Sequence, residues 1–521
     1  MRVVFITLYN ESARGTRWVA AAVQAAGHRV ALVHFKRFRS RTIARHDAGH
    51  LAWAIGQAPY QVREFTAQGD RFHPYPAPVT DREIRLLIDL LERLKPDVIG
   101  FSFSTHALPL AVRLTGLVRE SLPGIPVAWG GIHPIIDPEG SVAHADVVCP
   151  GEGEEAFCEY LADASRTDVA GLWFRTANGP IRNPLRRLRQ DLDSLAWPLY
   201  GGDEYEIDED RLDRQMAENP ALIACMFYTE TTRGCPFSCA YCIHSIARAR
   251  YAGQRYIRNR SLENVMAEIQ AFRRRFGGLQ AILPFFDEIL LMNKKRFARF
   301  AELYRREIGH PFCGFAHHQT TDREMLAIAR TAGIAETSIG LQTGSVRIAR
   351  EIYRRPIDPE AMIRLAREIH ETGAGRLIVN VLCDCAFERE EDLRATFELL
   401  RAIPRPYLLQ LSRVVPFPGT ALAQMHAEGD SLAAPIREFW HLLYVLTQNN
   451  EIDSATLSAL SADPFLRDRP EILDRLVYAL HEPGGGIAEA ASAPGGGAVR
   501  APALARALGS VRRRLGGRVR K

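Results

Sequence analysis

Continuous apolar runs alternate with amphipathic stretches through the first third of the chain. These runs show no polar alternation, which is typical of strands buried on both faces of a parallel sheet. We expect such strands over residues 3–8, 30–34, 97–102, 126–129 and 146–149. Helical periodicity lies between them, at residues 14–26, 82–94 and 110–120. The pattern predicts an α/β fold whose N-terminal domain is doubly wound and Rossmann-like.

A second series of apolar runs, with a different spacing, begins after residue 220. Its expected strands cover residues 223–229, 281–286, 313–317, 337–341, 377–383 and 408–415. Periodic helical stretches, such as 262–276 and 359–370, lie between these strands. Six parallel strands with intervening helices predict a partial (β/α)6 barrel.

Composition indicates where the connecting and terminal segments lie. The bounds that we expect are 1–180 for the first domain, 181–220 for a linker, 221–430 for the barrel, 431–482 for a small helical segment and 483–521 for a tail. The linker is polar and contains an acidic run at 203–210. The tail is rich in Gly and Ala and ends in basic residues, so we expect it to be flexible.

Charge and composition exclude several classes of protein. The 521 residues are 47 % hydrophobic and 24 % charged, which excludes a disordered or fibrous chain. The net charge of +5 originates in residues 500–521, which hold eight Arg or Lys and no acid, so that the remainder carries −3. We therefore expect no nucleic-acid partner for the body of the chain. The tail is interpreted as a solvated end, with contact to anionic lipid or nucleic acid as the alternative.

Compartment is indicated by what the sequence does not contain. No run of 18 apolar residues is present, so we expect no membrane span. The N-terminus lacks the apolar region and cleavage site of a signal peptide, and the nine cysteines do not suggest a disulfide framework. We expect a cytoplasmic protein.

Three cysteines with C-x3-C-x2-C spacing directly follow the first strand of the second series. Cys235, Cys239 and Cys242 can hold three irons of a [4Fe-4S] cube and leave the fourth iron open to a small ligand. A structural zinc site usually needs a second, distant ligand pair, and no later C-x2-C exists. His244 is near enough in sequence to be a fourth ligand, which leaves a closed cluster as an alternative.

This motif, with an aromatic residue before its last cysteine, resembles that of the radical SAM superfamily. The resemblance implies that the open iron binds S-adenosylmethionine (SAM), and that one electron cleaves SAM into methionine and a 5′-deoxyadenosyl radical. It also implies an electron donor such as flavodoxin or ferredoxin. Tyr241 matches the family's aromatic position, whose surroundings contact the adenine.

Two later segments resemble the SAM pocket of that family. Asp287 ends the second barrel strand, where the family places polar groups near the methionine amine. Gln342 and Ser345 belong to a segment similar to the family's Gly-Ile-Glu/Gln-Ser-Gly, with Thr343 where Ser is usual. The residues 416–420 also match a turn at the end of the family's last strand. The resemblance therefore implies that Asp287, Gln342 and Ser345 line the cofactor.

Three turns of the first domain resemble those of the cobalamin-binding domain that precedes many radical SAM enzymes. The resemblance implies contacts to cobalamin from Ser102, Ser104, Gly130, Gly131, Gly151, Glu152 and Gly153. Glycines at strand ends allow a bulky nucleotide tail to approach the backbone closely. The Asp-x-His-x-x-Gly motif that supplies an axial histidine to cobalt is absent. We expect cobalamin without a histidine ligand, and a domain that has lost the cofactor is the alternative.

Two cysteines and two histidines at the ends of barrel strands are further candidates for the site. Cys383 and Cys385 lie at the end of a barrel strand and are interpreted as small buried hydrophobic residues, with a redox or methyl-accepting role as the alternative. His317 and His318 end another strand. Because neighbouring strand residues point to opposite faces, we expect at most one of these histidines to face the site.

Together these features predict a cobalamin-dependent radical SAM methyltransferase that methylates an unactivated carbon of a small molecule. By the resemblance, the radical removes a substrate hydrogen, methylcobalamin delivers the methyl group, and a second SAM remethylates the cobalamin. The alternatives are a ring-forming or oxidising enzyme of the tetrapyrrole cyclase type, a non-catalytic cobalamin-binding regulator, and an iron–sulfur electron carrier. No motif specifies the substrate.

Overall fold

The computed structural model describes residues 1–10, 12–37, 61–66, 69–74, 78–214, 226–425, 432–450 and 452–481. Two large sheets, each accompanied by helices, give the expected α/β fold. The tail predicted at 483–521 lies outside the described residues. None of the described helices combines the length and the apolar character that crossing a bilayer requires.

The N-terminal sheet has nine strands around a parallel centre. The strands in this half of the chain are β1 (Arg2–Leu8), β2 (Arg29–Phe35), β3 (Gln61–Thr66), β4 (Gly69–Pro74), β5 (Val98–Ser102), β6 (Val127–Gly130), β7 (Val147–Val148), β8 (Trp173–Phe174), β9 (Ile181–Arg182), β10 (Asp203–Asp208) and β11 (Arg211–Asp213). The sheet order is β11-β10-β2-β1-β5-β6-β7-β8-β9. Neighbours from β10 to β7 in this order run parallel, whereas β11, β8 and β9 pair antiparallel. Strands β3 and β4 form a separate antiparallel hairpin.

Both faces of this sheet are covered, which explains why its central strands are apolar at successive positions. In β1, Val4 and Ile6 belong to the core on one face, and Val3 and Phe5 belong to the core on the other. The helices of this half are α1 (Arg14–Ala25), α2 (Asp81–Leu94), α3 (Leu108–Ser121), α4 (Ile132–Ile136), α5 (Pro138–Val142) and α6 (Glu154–Ala162). Helices α2 and α3 pack on the first face, and α1 and α6 pack on the second. The domain is doubly wound, as predicted.

The segment that we expected to be a linker contributes two strands, so that prediction was wrong for residues 203–213. Strand β10 pairs with β2, and β11 pairs with β10. The acidic run is compatible with a sheet because its carboxylates meet buried cations from distant parts of the chain. Glu204 accepts hydrogen bonds from Arg17 at 2.6 Å and pairs with His34 at 2.8 Å. Arg17 and His34 are far from Glu204 in the sequence, so the local composition around Glu204 does not reveal them.

The second large sheet has five parallel strands and confirms the partial barrel. The strands of this half are β12 (Thr232–Arg233), β13 (Arg258–Asn259), β14 (Leu283–Pro284), β15 (Phe312–Ala316), β16 (Ile334–Gln342), β17 (Arg376–Cys383) and β18 (Tyr407–Arg413). Strands β14 to β18 are adjacent in chain order, and β12 pairs with β13. The expected first strand is represented by a parallel bridge between Thr229 and Phe285, and its residues 223–225 lie outside the described residues.

Helices surround the barrel sheet and continue beyond it. They are α7 (Ile243–Arg250), α8 (Leu262–Phe276), α9 (Lys294–Glu307), α10 (Arg323–Ala332), α11 (Pro359–Thr372), α12 (Glu390–Ala402), α13 (Ala421–Gln424), α14 (Ala434–Thr447), α15 (Ser454–Ser461), α16 (Pro464–Arg467) and α17 (Pro470–His481). A π-helical turn covers Ile348–Ile352. Helix α14 packs against α12, where the Tyr444 hydroxyl donates to the Leu393 carbonyl at 2.8 Å. Its apolar residues belong to the barrel core, so the C-terminal helices extend that core.

Candidate active site

The loop of residues 231–242 carries all three motif cysteines. Cys239 is buried, whereas Cys235 and Cys242 are half-buried, and all three are free thiols. Gly234 has a φ of +101°, and a Cβ at this position would lie 2.6 Å from the Tyr256 carbonyl oxygen. Only glycine therefore fits directly before the first cysteine. The Ala240 amide donates to the Tyr353 carbonyl at 2.7 Å, which holds the loop on the barrel.

The three thiols interact with one another and with a nearby cation. Burial raises the pKa of Cys235, and it raises that of Cys242 to about 12, with a contribution from the neighbouring cysteines. The Arg355 guanidinium lies 3.8 Å from Cys239 Sγ and also donates to the Gly340 carbonyl at 2.7 Å. Three free thiols on one loop fit thiolate ligation of an iron–sulfur cluster, whose positive charge would favour their deprotonated form.

His244 is engaged at both ring nitrogens. Its Nδ1 lies 2.8 Å from the Tyr256 hydroxyl, and its Nε2 lies 2.9 Å from the Glu288 carboxylate. A histidine with both nitrogens hydrogen-bonded has no lone pair left for iron. This arrangement weighs against His244 as the fourth ligand of a closed cluster.

Asp287 lies beneath the cysteine loop. Its carboxylate accepts hydrogen bonds from the Thr231 amide at 2.9 Å and from the Thr231 hydroxyl at 2.6 Å. The side chain is buried, and burial raises its pKa to about 6. In this position Asp287 orients the start of the loop. Its neighbour Glu288 is the carboxylate that interacts with Cys235 and Cys242 electrostatically.

The segment from Gln342 to Ser345 is pressed against helix α12. A Cβ on Gly344 would lie 2.5 Å from the Ala395 carbonyl oxygen, so the two backbones are in direct contact. Ser345 is buried, and its hydroxyl donates to Asp392 at 2.5 Å. Gln342 ends β16 with a φ of +66°, at a β-bulge beside β17. Gln342 is therefore the residue at which the backbone leaves the regular strand conformation.

His317 contacts the cysteine loop, and His318 stacks on His317, so the expectation that at most one of them faces the site stays a prediction. The ring of His317 lies 4.4 Å from the Phe237 ring and 4.4 Å from the His318 ring. Strand β15 ends at Ala316, so the alternation of side-chain directions no longer applies to them. Burial lowers the pKa of His317 to about 3 and that of His318 to about 4, with Arg355 contributing to both.

These histidines offer hydrogen-bonding groups that the described protein does not use. The buried Nε2 of His317 and both ring nitrogens of His318 have no hydrogen-bond partner among the described residues. Buried polar groups are normally satisfied, so a bound molecule is a reasonable partner for them. Arg355 was missed by the sequence analysis because it follows a π-helical turn rather than a recognisable motif.

Tyr241 and Cys385 lie around Tyr353, whereas Cys383 belongs to the barrel core. The rings of Tyr241 and Tyr353 meet edge to face at 5.0 Å. Cys383 and Cys385 are both fully buried, and the Cys385 amide donates to Glu388 at 3.0 Å. Burial raises the pKa of Glu388 to about 8. The surroundings of these cysteines are apolar or hydrogen-bonded, in keeping with their interpretation as core residues.

Two turns of the first domain meet at the carboxyl edge of its sheet. Ser102 and Gly130 are register partners on β5 and β6. Gly131 has a φ of +92°, and a Cβ there would lie 2.9 Å from Ser102 Oγ. Ser104 follows, with its hydroxyl 3.1 Å from Nδ1 of His106. Ser102, Gly130 and Gly131 are therefore in contact and Ser104 follows two residues after Ser102, whereas their contact with cobalamin stays a prediction.

The third turn, Gly151 to Glu154, is bound to the barrel instead. Glu152 forms a two-fold ion pair with Arg258, at 2.6 and 2.8 Å, and Arg258 lowers its pKa against the effect of burial. Glu154 pairs with Arg233 of the cysteine loop at 2.8 Å. The carboxylate of Glu152 is thus occupied by protein, and this turn joins the two domains. Its charge partners lie about 80 or more residues away in the sequence, beyond the reach of a local motif.

Comparison with known families agrees with this arrangement. Residues 67–161 match the B12 binding domain, and residues 229–400 match the radical SAM superfamily. Both matches contain the features described above, the strand-end turns in the first and the cysteine loop in the second. The chain therefore belongs to the cobalamin-binding radical SAM enzymes, and its cofactors are a [4Fe-4S] cluster, SAM and cobalamin.

Curated relatives differ in the reaction that their names state. An uncharacterized methyltransferase of Pyrococcus horikoshii is 25 % identical over 342 residues, covering 64 % of this chain and 70 % of the relative. Cytidylyl-2-hydroxyethylphosphonate methyltransferase of Streptomyces wedmorensis is 23 % identical, covering 69 % and 75 %. Anaerobic magnesium-protoporphyrin IX monomethyl ester cyclase of Cereibacter sphaeroides is 25 % identical, covering 65 % and 54 %.

Solved structures show the same fold. The radical SAM methyltransferase TsrM from Kitasatospora setae, solved with cobalamin and a [4Fe-4S] cluster, superimposes with a TM-score of 0.58 at 15 % identity, over 81 % of this chain and 76 % of that one. The cobalamin-dependent SAM radical enzyme OxsB gives a TM-score of 0.54 at 14 % identity, over 88 % and 56 %.

Proposed function

We propose that the protein is a methyltransferase that adds a methyl group to an unactivated carbon of a small molecule. The observation that carries the proposal is the meeting of the cysteine loop with the first domain through Arg233 and Glu154. This contact brings the cysteine loop to the first domain and supports a cluster close to the cobalamin surface. Methyl transfer to a carbon radical needs both cofactors close to one substrate.

The cysteine loop supplies the cluster ligands in this proposal. Cys235, Cys239 and Cys242 hold three irons, and His244 stays with Tyr256 and Glu288. When bound, the cluster supplies the electron that cleaves SAM, and cobalamin supplies the methyl group. Arg355, beside Cys239, stabilises the thiolates electrostatically.

The strand ends around the loop complete the site. Tyr241 and Gln342 stand at the positions assigned to SAM, whereas Asp287 and Ser345 hold the backbone segments that carry them. Ser102, Ser104, Gly130 and Gly131 form the surface for cobalamin. Asp287 and Ser345 are buried, whereas Tyr241, Gln342 and the four residues of the first domain are partly accessible, as groups that contact a bound cofactor need to be.

The test is anaerobic reconstitution with iron, sulfide and hydroxocobalamin, followed by SAM and a reductant. Mass spectrometry should detect both 5′-deoxyadenosine and S-adenosylhomocysteine. Cys235→Ala should abolish 5′-deoxyadenosine, whereas Cys158→Ala, a half-buried cysteine on α6, should not. Absence of 5′-deoxyadenosine from a protein that contains the cluster would contradict the proposal.

A cyclase or oxidoreductase is the second candidate, because three of the curated relatives are anaerobic magnesium-protoporphyrin IX monomethyl ester cyclases. The two candidates differ in the second product of SAM. Methyl transfer consumes one SAM as a methyl donor and forms S-adenosylhomocysteine, and cyclisation does not. Formation of 5′-deoxyadenosine without S-adenosylhomocysteine would therefore favour the cyclase.

A further inference from the structure

A groove of about 700 Å³ lies between the cysteine loop and α7 and continues along the segment that follows α7. Ser238, between the first two cluster cysteines, forms one wall, and α7 with residues 251–257 forms the rest. Ser238 is exposed, whereas the next residue, Cys239, is buried. The cysteine loop therefore comes to the surface at this groove, one residue away from a cluster ligand.

The groove is positively charged. No carboxylate lines it, and residues 231–262 contain six arginines and no Asp or Glu. Arg248 and Arg255 are exposed on its wall and donate to the carbonyls of Pro236 and Ile257. In the part of the chain that the structure describes, neither arginine has a carboxylate within ion-pair distance. Many other arginines of this protein have one.

A third exposed arginine extends the charge beyond the groove. The Leu188 amide donates to the Gln254 side chain at 2.8 Å, which places the segment carrying Arg187 beside the groove. Arg187 is exposed. These arginines belong to a body whose net charge without the tail is −3, so the patch is a local concentration of positive charge.

We propose that this groove is the docking surface for the acidic protein that gives the cluster its electron. The inference rests on the proposed function, since it assumes a cluster on Cys235, Cys239 and Cys242. The carrier loses one electron and the cluster gains it, and no bond or proton moves in this step. Electron-transfer complexes are small and transient, and electrostatic steering sets their association rate. A carboxylate-rich carrier fits a groove that carries arginines and is lined by no carboxylate.

The groove suits other occupants less well. Binding of single-stranded nucleic acid uses aromatic faces on which bases stack. Here Tyr251 is buried, and the hydroxyl of Tyr256 is bonded to His244. A second copy of this chain related by two-fold symmetry would bring the same arginines face to face and repel.

The experiment measures cluster reduction by stopped-flow absorbance in the reconstituted full-length enzyme. The two donors are a reduced bacterial flavodoxin, which is acidic, and reduced methyl viologen, a small cation. We expect Arg255→Glu and Arg187→Glu to slow reduction by flavodoxin about tenfold at low salt, and to weaken its salt dependence. Reduction by methyl viologen should not slow. Arg255→Lys should restore most of the flavodoxin rate, because it keeps the charge.

Arg364→Glu is the matched control, since Arg364 is an exposed arginine on α11 and undergoes the same charge reversal. It should leave both rates unchanged. Equal slowing by Arg364→Glu and Arg255→Glu would overturn the proposal, because the effect would then follow net charge. The proposal would also be overturned if Arg255→Glu and Arg187→Glu left the rate of reduction by flavodoxin unchanged. The same holds if methyl viologen, but not flavodoxin, reduces the cluster of the wild-type enzyme.

Failure of the proposed function would give results different from those that overturn the docking proposal. In that case no cluster forms, or the viologen-reduced enzyme releases no 5′-deoxyadenosine from SAM. Binding of a fluorescent oligonucleotide that is lost in Arg255→Glu would assign the groove to nucleic acid and overturn the docking proposal.

Discussion

Arg233 joins the cysteine loop to the first domain, and its removal should lower the stability of the protein. Its guanidinium lies 2.8 Å from Glu154, 2.9 Å from Glu230 and 3.5 Å from Glu152, and it covers the Trp18 ring at 4.8 Å. The side chains of Arg233, Glu154 and Glu230 are 14 %, 9 % and 7 % exposed. This is a buried charge network.

The structure predicts which carboxylate is left without an ion-pair partner in Arg233→Gln. Glu230 keeps Arg14 at 3.2 Å, and Glu152 keeps Arg258 at 2.6 Å. Among the described residues Glu154 pairs with Arg233 alone, so it becomes a buried, unpaired charge. Removing one partner of a buried ion pair costs about 3–5 kcal/mol. We expect Arg233→Gln to lower stability by that amount.

Substitution of the partner carboxylate, Glu154, should lower stability less. In Glu154→Gln, Arg233 still pairs with Glu230 and Glu152, and no charge is left unpaired. We expect a loss of about 1–2 kcal/mol. The double variant Arg233→Gln/Glu154→Gln lacks the stranded carboxylate, so it should be more stable than Arg233→Gln alone. This non-additivity is the specific mark of a buried pair.

The assay is equilibrium urea unfolding of the apoprotein, followed by tryptophan fluorescence, to which the buried Trp18 contributes. Iron content after reconstitution is the second readout, because Arg233 lies two residues before Cys235. Arg233→Gln should retain less iron, and Arg233→Lys should recover part of the loss. A double variant no more stable than Arg233→Gln would refute the reasoning, since Glu154 would then find another partner or water.

Three further predictions concern the barrel. Gly344→Ala brings a Cβ within 2.6 Å of the backbone of α12 and should cost about 1–3 kcal/mol in urea unfolding, whereas Gly116→Ala, with open space on α3, should cost nothing. His244→Ala should leave four irons per reconstituted chain, and loss of one iron would restore His244 as a ligand. Burial raises the pKa of Asp287 from 3.8 to about 6, so the folded protein keeps a proton that the unfolded chain releases. Stability should therefore fall by about 3 kcal/mol as the pH rises from about 4 to 6, and Asp287→Asn should flatten that part of the profile.

The elements of both sheets follow from local patterns, which is why most of them could be predicted. Strand β17 is an apolar run that ends in a turn, and it was expected within one residue of its observed bounds. The cysteine loop could be found because its spacing is itself the signal. Both features depend on residues that are close in sequence, where hydrophobic periodicity and motif spacing carry information.

Two acidic residues have ion-pair partners far away in the chain, which local patterns do not reveal. Glu204 lies in an acidic run that suggested a linker, yet Arg17 and His34 make it a strand residue. Glu152 lies in a turn that suggested a cofactor contact, yet Arg258 occupies its carboxylate. In each case a buried arginine changes what the acidic residue does, and the pairing exists only in the folded chain.

The arginines of the cysteine loop and of the segment after it form two groups, an inner one that pairs with carboxylates and an outer one that does not. In the inner group, Arg233 and Arg258 pair with Glu154 and Glu152 of the first domain, and Arg233 also pairs with Glu230. The two pairs with the first domain join the domains. On the outer side, Arg248 and Arg255 donate to backbone carbonyls and keep their positive charge at the surface. Inner and outer arginines come from one acid-free segment, residues 231–262. The acids that pair with the inner arginines all lie outside this segment. No described carboxylate lies within ion-pair distance of the outer two arginines, which leaves them available for an acidic partner.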